Sequence, residues 1–176
     1  MNKKHPDREK CMKMLKDYKT PEHVIKHCEA VTGAALKLAG ALNKEGFNFD
    51  LQLIEAAGLL HDIARVDKKH WVSGADFVKK NGYIKEAGII RKHMDHSLDP
   101  DTSKLKELDI ICLGDRLILE DTYAGLDARM DYVIKKAEGD EFIINRINKN
   151  REINRKLIKN IEKIIGKTIE EVINGI

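Results

Sequence analysis

Cysteine is scarce in this 176-residue chain: Cys11, Cys28 and Cys112 are the only three, and no two of them form a CxxC pair. An odd, widely spaced set argues against a disulfide framework and a cysteine-type zinc site, and fits a reducing cytoplasm. Proline is equally sparse, at three residues, and aromatic residues make up only 5%. Such a composition disfavours a β-rich sandwich. No apolar run reaches the roughly 18 residues of a membrane helix, and the charged opening Met1-Asn2-Lys3-Lys4-His5 lacks the apolar core of a signal peptide. A soluble cytoplasmic protein is therefore expected. Excess charge of one sign is missing too, because 32 basic and 29 acidic residues leave a net charge of +3. That balance provides no broad field for a nucleic acid or a membrane surface, so any phosphate binding must be local. Neither a Gly-rich phosphate loop nor a nucleophile elbow occurs.

What the chain does have is helix-forming pattern. Hydrophobic residues at 42% and charged residues at 35% suit amphipathic helices. We expect an all-α fold in one compact domain spanning 1–176, with a core at about 14–130 and a C-terminal helical extension at about 140–176. The spacing predicts a short leading helix over 7–17. A long helix follows, capped by Thr20 with Pro21 in its first turn, and it ends before Gly46. Its apolar stripe is Val24, Cys28, Val31, Ala35, Leu38 and Leu42, with His27 beside it. A second helix should run from about Asp50 to Ala64, apolar on most sides and hence central. Two shorter helices, Trp71 to Lys80 and Tyr83 to about Met94, are separated by the turn dipeptide Asn81-Gly82. A further helix is predicted from Leu105 to about Leu119, with Asp115 on the same side as Ile111 and Ile118. From Phe142 onward an Ile-rich stripe predicts one amphipathic helix or a pair, which packs on its own domain or forms a homodimer contact.

The chemistry concentrates where apolar segments end. His61-Asp62 closes the run Ile54-Glu55-Ala56-Ala57-Gly58-Leu59-Leu60, so two metal-binding side chain types stand where a buried helix stops. His27, His93 and Asp115 also fall near apolar helix faces or ends. Burying an imidazole or carboxylate there without a partner costs several kcal/mol. A metal ion supplies such a partner. Imidazole nitrogen and carboxylate oxygen without thiolate suit a divalent transition metal (Fe, Mn, Co, Ni or Zn), and six ligands can hold one or two ions.

These residues carry a resemblance. His27 within a helix, then Leu59-Leu60-His61-Asp62-Ile63-Ala64-Arg65, His70 before Gly74-Ala75, Ile89-Ile90-Arg91-Lys92-His93 and Gly114-Asp115-Arg116-Leu117 resemble the ordered H, HD, H, H, D signature of the HD-domain superfamily of metal-dependent phosphohydrolases. The resemblance spans roughly Met14 to Met130 and is closest to small stand-alone HDIG-type proteins. It implies an all-helical domain with a central metal site in which His27, His61, Asp62 and Asp115 are core ligands and Asp62 bridges two ions. His70 and His93 match the histidines that complete the second site in two-metal members.

The motif departs from His-Asp-Ile-Gly-Lys at Ala64 and Arg65. Arg65 either presents a planar donor fork to a phosphate or answers the negative end of its own helix. Arg116 and Arg129 are further phosphate candidates, whereas Lys68 and Lys69 read as solvated loop charges. Glu120 and Asp121 either orient a ligand histidine or form surface ion pairs.

The implied reaction is metal-assisted hydrolysis of a phosphoester or phosphoanhydride by an activated water, with Asp62 and Arg65 in catalytic roles. By the same resemblance the substrate is a small phosphorylated molecule, a nucleotide first of all. Tyr83, Tyr123 and Trp71 are either base-stacking or packing residues. Two other readings share the ligand set: a di-iron oxygenase of the HD type, and a nucleotide-sensing module without turnover.

Overall fold

Asp7 opens the fold by accepting the Lys10 amide at 2.8 Å, which starts α1 (Arg8–Asp17). Residues 5–176 are described by the computed structural model. After α1 come α2 (Glu22–Lys44), α3 (Leu51–Leu60), α4 (His70–Lys80), α5 (Ile84–Lys92) and α6 (Glu107–Asp115). A two-stranded antiparallel hairpin, β1 (Ile118–Leu119) and β2 (Thr122–Tyr123), interrupts the helices before α7 (Gly125–Lys136), α8 (Glu141–Ile165) and α9 (Ile169–Asn174). The all-α expectation holds, with this short hairpin as the addition. Among the described residues no helix is long and apolar enough to cross a membrane.

The near-continuous apolar character of α3 has a clear cause: the helix lies between two buried clusters. Ile54 and Ala57 join the cluster built by α2, α6, α8 and α9, while Ala56, Leu59 and Leu60 join the one built by α1, α4 and α5. The stripe on α2 is buried at every expected position from Val24 to Leu42. Leu157 and Ile161 of α8, with Ile169 and Ile173 of α9, sit in the same cluster as α2. The Ile-rich C-terminal pattern is thus the pair of helices, and Gly166 ends α8 in the left-handed region at φ 68°.

Two close helix contacts set the geometry below. A Cβ on Gly58 of α3 would stand 2.7 Å from the Thr32 hydroxyl oxygen on α2, and one on Gly114 of α6 would stand 3.1 Å from the Val31 carbonyl oxygen. Both α3 and α6 therefore approach α2 so closely that a side chain at either glycine would make its neighbour shift, by more at Gly58 than at Gly114.

Three boundaries differ from expectation. Thr20 does not cap α2, whose N-cap is Pro21, because the Thr20 hydroxyl donates instead to the Ile63 carbonyl at 2.6 Å. Helix α3 stops at Leu60 rather than Ala64. There the backbone tightens into three-residue turns, with Ile63 N donating to Leu60 O and Arg65 N to Asp62 O. Helix α6 ends at Asp115 rather than near Leu119, because the chain turns into the hairpin.

Candidate metal centre

The tightened turn after α3 is what aims the site. It lets His61 and Asp62 fan inward although they are adjacent in sequence. His61 is 1% exposed, and its Nδ1 bonds the Gly58 carbonyl at 2.7 Å. The same device recurs twice: His93 Nδ1 meets Ile90 O at 2.7 Å, and His27 Nδ1 meets Glu120 O at 2.6 Å. A carbonyl only accepts, so each Nδ1 carries a proton toward its carbonyl, which turns each Nε2 to the interior. The Glu120 backbone sits in the left-handed region at φ 56° at the turn of the hairpin. Its main chain, rather than its side chain, is what orients a histidine.

The six expected ligands come together as two adjacent groups. His27, His61 and Asp115 have ligand atoms within 4.8 Å of one another, and so do Asp62, His70 and His93. The imidazoles run in a chain, with centroids 5.7 Å apart for His27 and His61, 5.4 Å for His61 and His93, and 5.6 Å for His93 and His70. Asp62 stands between the groups. Its Oδ1 lies 3.2 Å from His70 Nε2 and 3.5 Å from His93 Nε2, and its Oδ2 lies 3.8 Å from His61 Nε2.

Electrostatics at this point favours a cation. Burial raises the Asp62 carboxyl, but His61, His70, His93 and Arg65 more than offset this and hold it well below the usual carboxylate range. Asp115 is lowered too, against its burial, by the His27 hydrogen bond at 3.0 Å and by His61 and Arg129. Burial lowers His61 below the ordinary histidine value and keeps it neutral, whereas Asp115 raises His27 and Asp62 raises His93, each against burial. Neither His61 Nε2 nor Asp62 Oδ1 has a hydrogen-bond partner although both are buried. Two buried acceptors without hydrogen-bond partners, where four imidazoles and two carboxylates converge, fit a divalent cation, because one charge satisfies several such atoms at once. The six side chains thus suit the group they would hold.

The arginines differ in their commitments. Arg65 Nη1 donates to His70 Nε2 at 3.2 Å, and its Nε is 3.7 Å from Asp62 Oδ2, so a half-exposed guanidinium overhangs one ligand group. Arg129 of α7 donates from Nε to the Asp115 carbonyl at 3.3 Å and keeps Nη2 3.6 Å from Asp115 Oδ1. Arg116 points its Nη1 at Asn154 Oδ1 and its Nη2 at His96 O, which ties α6 to α8. Two of its nitrogens are therefore already in use.

Above the ligands opens a groove of about 1050 Å³, with Lys26, Arg65, Arg129, Tyr132 and Lys136 on its walls. Trp71, Tyr83 and Tyr123 do not line it. Trp71 packs edge-on against His70, Tyr83 is buried in the cluster of α1, α4 and α5, and Tyr123 packs on the larger cluster. Sequence reasoning missed α7 and with it Tyr132 and Lys136. The apolar spacing of Leu126, Met130 and Val133 was the signal that could have found them.

Comparison with known proteins adds the following. A family model described as HD domain matches residues 24–119. An uncharacterized protein of Methanocaldococcus jannaschii is 35% identical over 85 residues, covering 47% of this chain and 50% of that protein. A protein of Thermoplasma volcanium named tRNA (cytidine(56)-2'-O)-methyltransferase is 27% identical over 95% of this chain and 50% of its own length. One of the same name from Picrophilus torridus is 24% identical over the same shares. The chain spans about half the length of the curated relatives it matches. No solved structure matches it.

Proposed function

The chain belongs to the HD-domain family, and on that premise we propose that it is a metal-dependent phosphohydrolase acting on a nucleotide or another small phosphoester or phosphoanhydride. One observation carries the reading: two orphaned buried acceptors, His61 Nε2 and Asp62 Oδ1, lie among converging imidazoles at the floor of a groove whose mixed-charge walls place Arg65 and Arg129 beside the ligands, with Glu22, Glu120 and Asp121 elsewhere on the lining. His27, His61 and Asp115 would hold one ion, and Asp62, His70 and His93 a second. Bound divalent ions supply Lewis acidity and lower the pKa of a coordinated water from about 16 toward about 7.

The protein's own groups do the rest. Carbonyl contacts from Gly58, Ile90 and Glu120 fix the ring orientation of three histidines before any ligand arrives. Arg65 offers a fork of donors to the non-bridging oxygens of a phosphoryl group, and Arg129 offers the same from the Asp115 side. Both develop more favourable contacts as charge builds on those oxygens. Arg116, with two nitrogens engaged by Asn154 and His96, braces the α6–α8 contact in this reading.

Metal analysis of anaerobically purified protein, with turnover of nucleotides, generic phosphoesters and tRNA measured with and without oxygen, tests the proposal. About two transition-metal ions with oxygen-independent phosphate release support it. Oxygen-dependent chemistry would replace it with the oxygenase reading, and ligand binding without turnover would replace it with the sensing module. The tRNA arm asks whether the substrate named for two relatives has any counterpart here. Protein that takes up no metal on reconstitution would reduce the histidines to structural residues.

A further inference from the structure

Five residues of α7 line the groove, and Arg129, Tyr132, Val133 and Lys136 among them stand at spacings i, i+3, i+4 and i+7, forming one continuous helix face beside Met130. The Arg129 end of that face is tied to Asp115, and therefore to the ligand cluster. At a helical rise of 1.5 Å per residue, Tyr132 lies about 4–5 Å farther along and Lys136 about 10 Å farther. A phosphate gripped between the ligands and Arg129 would therefore have an aromatic ring about one sugar's length away and a second cation beyond it.

Lys136 Nζ sits 4.4 Å from the Tyr132 ring centroid, and the Arg129 guanidinium carbon lies 5.8 Å from it. Tyr132 lines the groove and is half-buried, so its ring can be reached from it. Lys136 makes no ion pair among the described residues, so this contact is what holds it, and an exposed cation–π contact is worth only about 0.5–1 kcal/mol. A planar base can replace it and leave the ammonium free to meet an anion.

We propose that Tyr132 is a specificity-determining residue of this groove, stacking on the base of a nucleoside-containing substrate whose phosphate lies at the ligand cluster. The proposal rests on the phosphohydrolase reading and narrows its substrate class. Stacking accepts any base, because every base has a π-face, so the site distinguishes nucleotides from base-free sugar phosphates rather than one nucleotide from another.

Calorimetry on the metal-loaded full chain tests this without requiring turnover. The probes are the phosphonate analogue of adenosine monophosphate, in which a methylene replaces the ester oxygen, and the matching analogue of ribose 5-phosphate. Tyr132→Ala should weaken the adenosine analogue about ten- to a hundredfold, the range base stacking supplies. Binding of the ribose analogue should not change, and Tyr132→Phe should restore the adenosine affinity. Equal binding of the two probes by the unmodified chain, or an equal loss on both in Tyr132→Ala, would overturn the assignment. Failure of the phosphohydrolase reading shows itself differently, as base-dependent binding without phosphate release from any substrate.

Discussion

Gly58 faces Thr32 so closely that an added Cβ would stand 2.7 Å from the Thr32 hydroxyl oxygen and 3.4 Å from its Cα. That approach brings His61, at the end of α3, toward His27, in the second turn of α2. The Gly58 carbonyl also holds His61 Nδ1. Gly58→Ala should therefore act twice. The forced separation should cost about 1–3 kcal/mol, the usual range for overpacking, and metal affinity should fall because His61 moves away from His27 and Asp115. Urea unfolding with chelator present reads the first effect and metal titration reads the second. Unchanged affinity alongside lower stability would show that the contact does not position the ligands.

Arg65 contends with a metal ion for His70 Nε2, since its Nη1 already donates to that atom at 3.2 Å. Replacing it with alanine should leave metal content intact while slowing turnover of phosphorylated substrates about a hundredfold, the scale of losing one preorganised donor. Arg65→Lys should fall between the two, because it keeps the charge and loses the fork. Loss of bound metal in Arg65→Ala would contradict the division of labour drawn here, in which the guanidinium serves the phosphate and not the ion.

The parts of this structure legible in the sequence are those fixed by local pattern. The α2 stripe from Val24 to Leu42 could be read from spacing alone, and so could the burial of α3 on several sides. His27, His61, Asp62, His93 and Asp115 could be picked out because each falls near an apolar helix face or end, whereas His70, which follows a charged run, is implied only by the resemblance to the ordered HD signature. What could not be read depends on partners distant in the chain. Thr20 has the form of a helix cap, yet its hydroxyl serves the Ile63 carbonyl freed where α3 unwinds, 43 residues away. Glu120 acts on His27 through its backbone across 93 residues, which no side-chain pattern announces. Tyr132 lies on α7, whose only local mark is the spacing of Leu126, Met130 and Val133.

Asp50 provides a pH-dependent handle away from the ligands. Its side chain caps α3 by accepting the amides of Gln52 and Leu53, each at 3.1 Å, and His5 Nε2 lies 3.0 Å from the other oxygen. Burial raises its carboxyl, but the Leu53 amide, His5 and the Gln52 amide together outweigh this and leave it below the ordinary value. A carboxyl lowered by folding contributes stability above the unfolded value near 4, and that contribution disappears as pH falls through the folded value. Asp50→Ala should thus cost about 1 kcal/mol near neutral pH, with the deficit shrinking as pH falls below about 4. Asp50→Asn keeps the cap and should show a smaller deficit with a weaker pH dependence. Unfolding midpoints of the three proteins across that pH range check this, and a deficit in Asp50→Ala that persists undiminished in acid would mean the cap is not ionic.

Metal and fold should be linked through the two orphaned acceptors. An ion that binds only the folded chain stabilises it by RT ln(1 + [L]/Kd), about 2.7 kcal/mol at a hundredfold excess over Kd. Thermal unfolding of the unmodified protein should therefore shift upward with added manganese or iron and fall back with chelator. Asp62→Ala and His61→Ala should lose that shift together with metal binding and phosphate release, since Asp62 lies between the ligand groups and His61 Nε2 has no other partner. Their chelator-treated forms should still unfold cooperatively, because α3 packs through Ile54, Leu59 and Leu60, which neither substitution touches. The comparison separates the site from the scaffold. Asp62→Ala with full metal content and an undiminished thermal shift would place the ion elsewhere and remove the basis of the proposed centre.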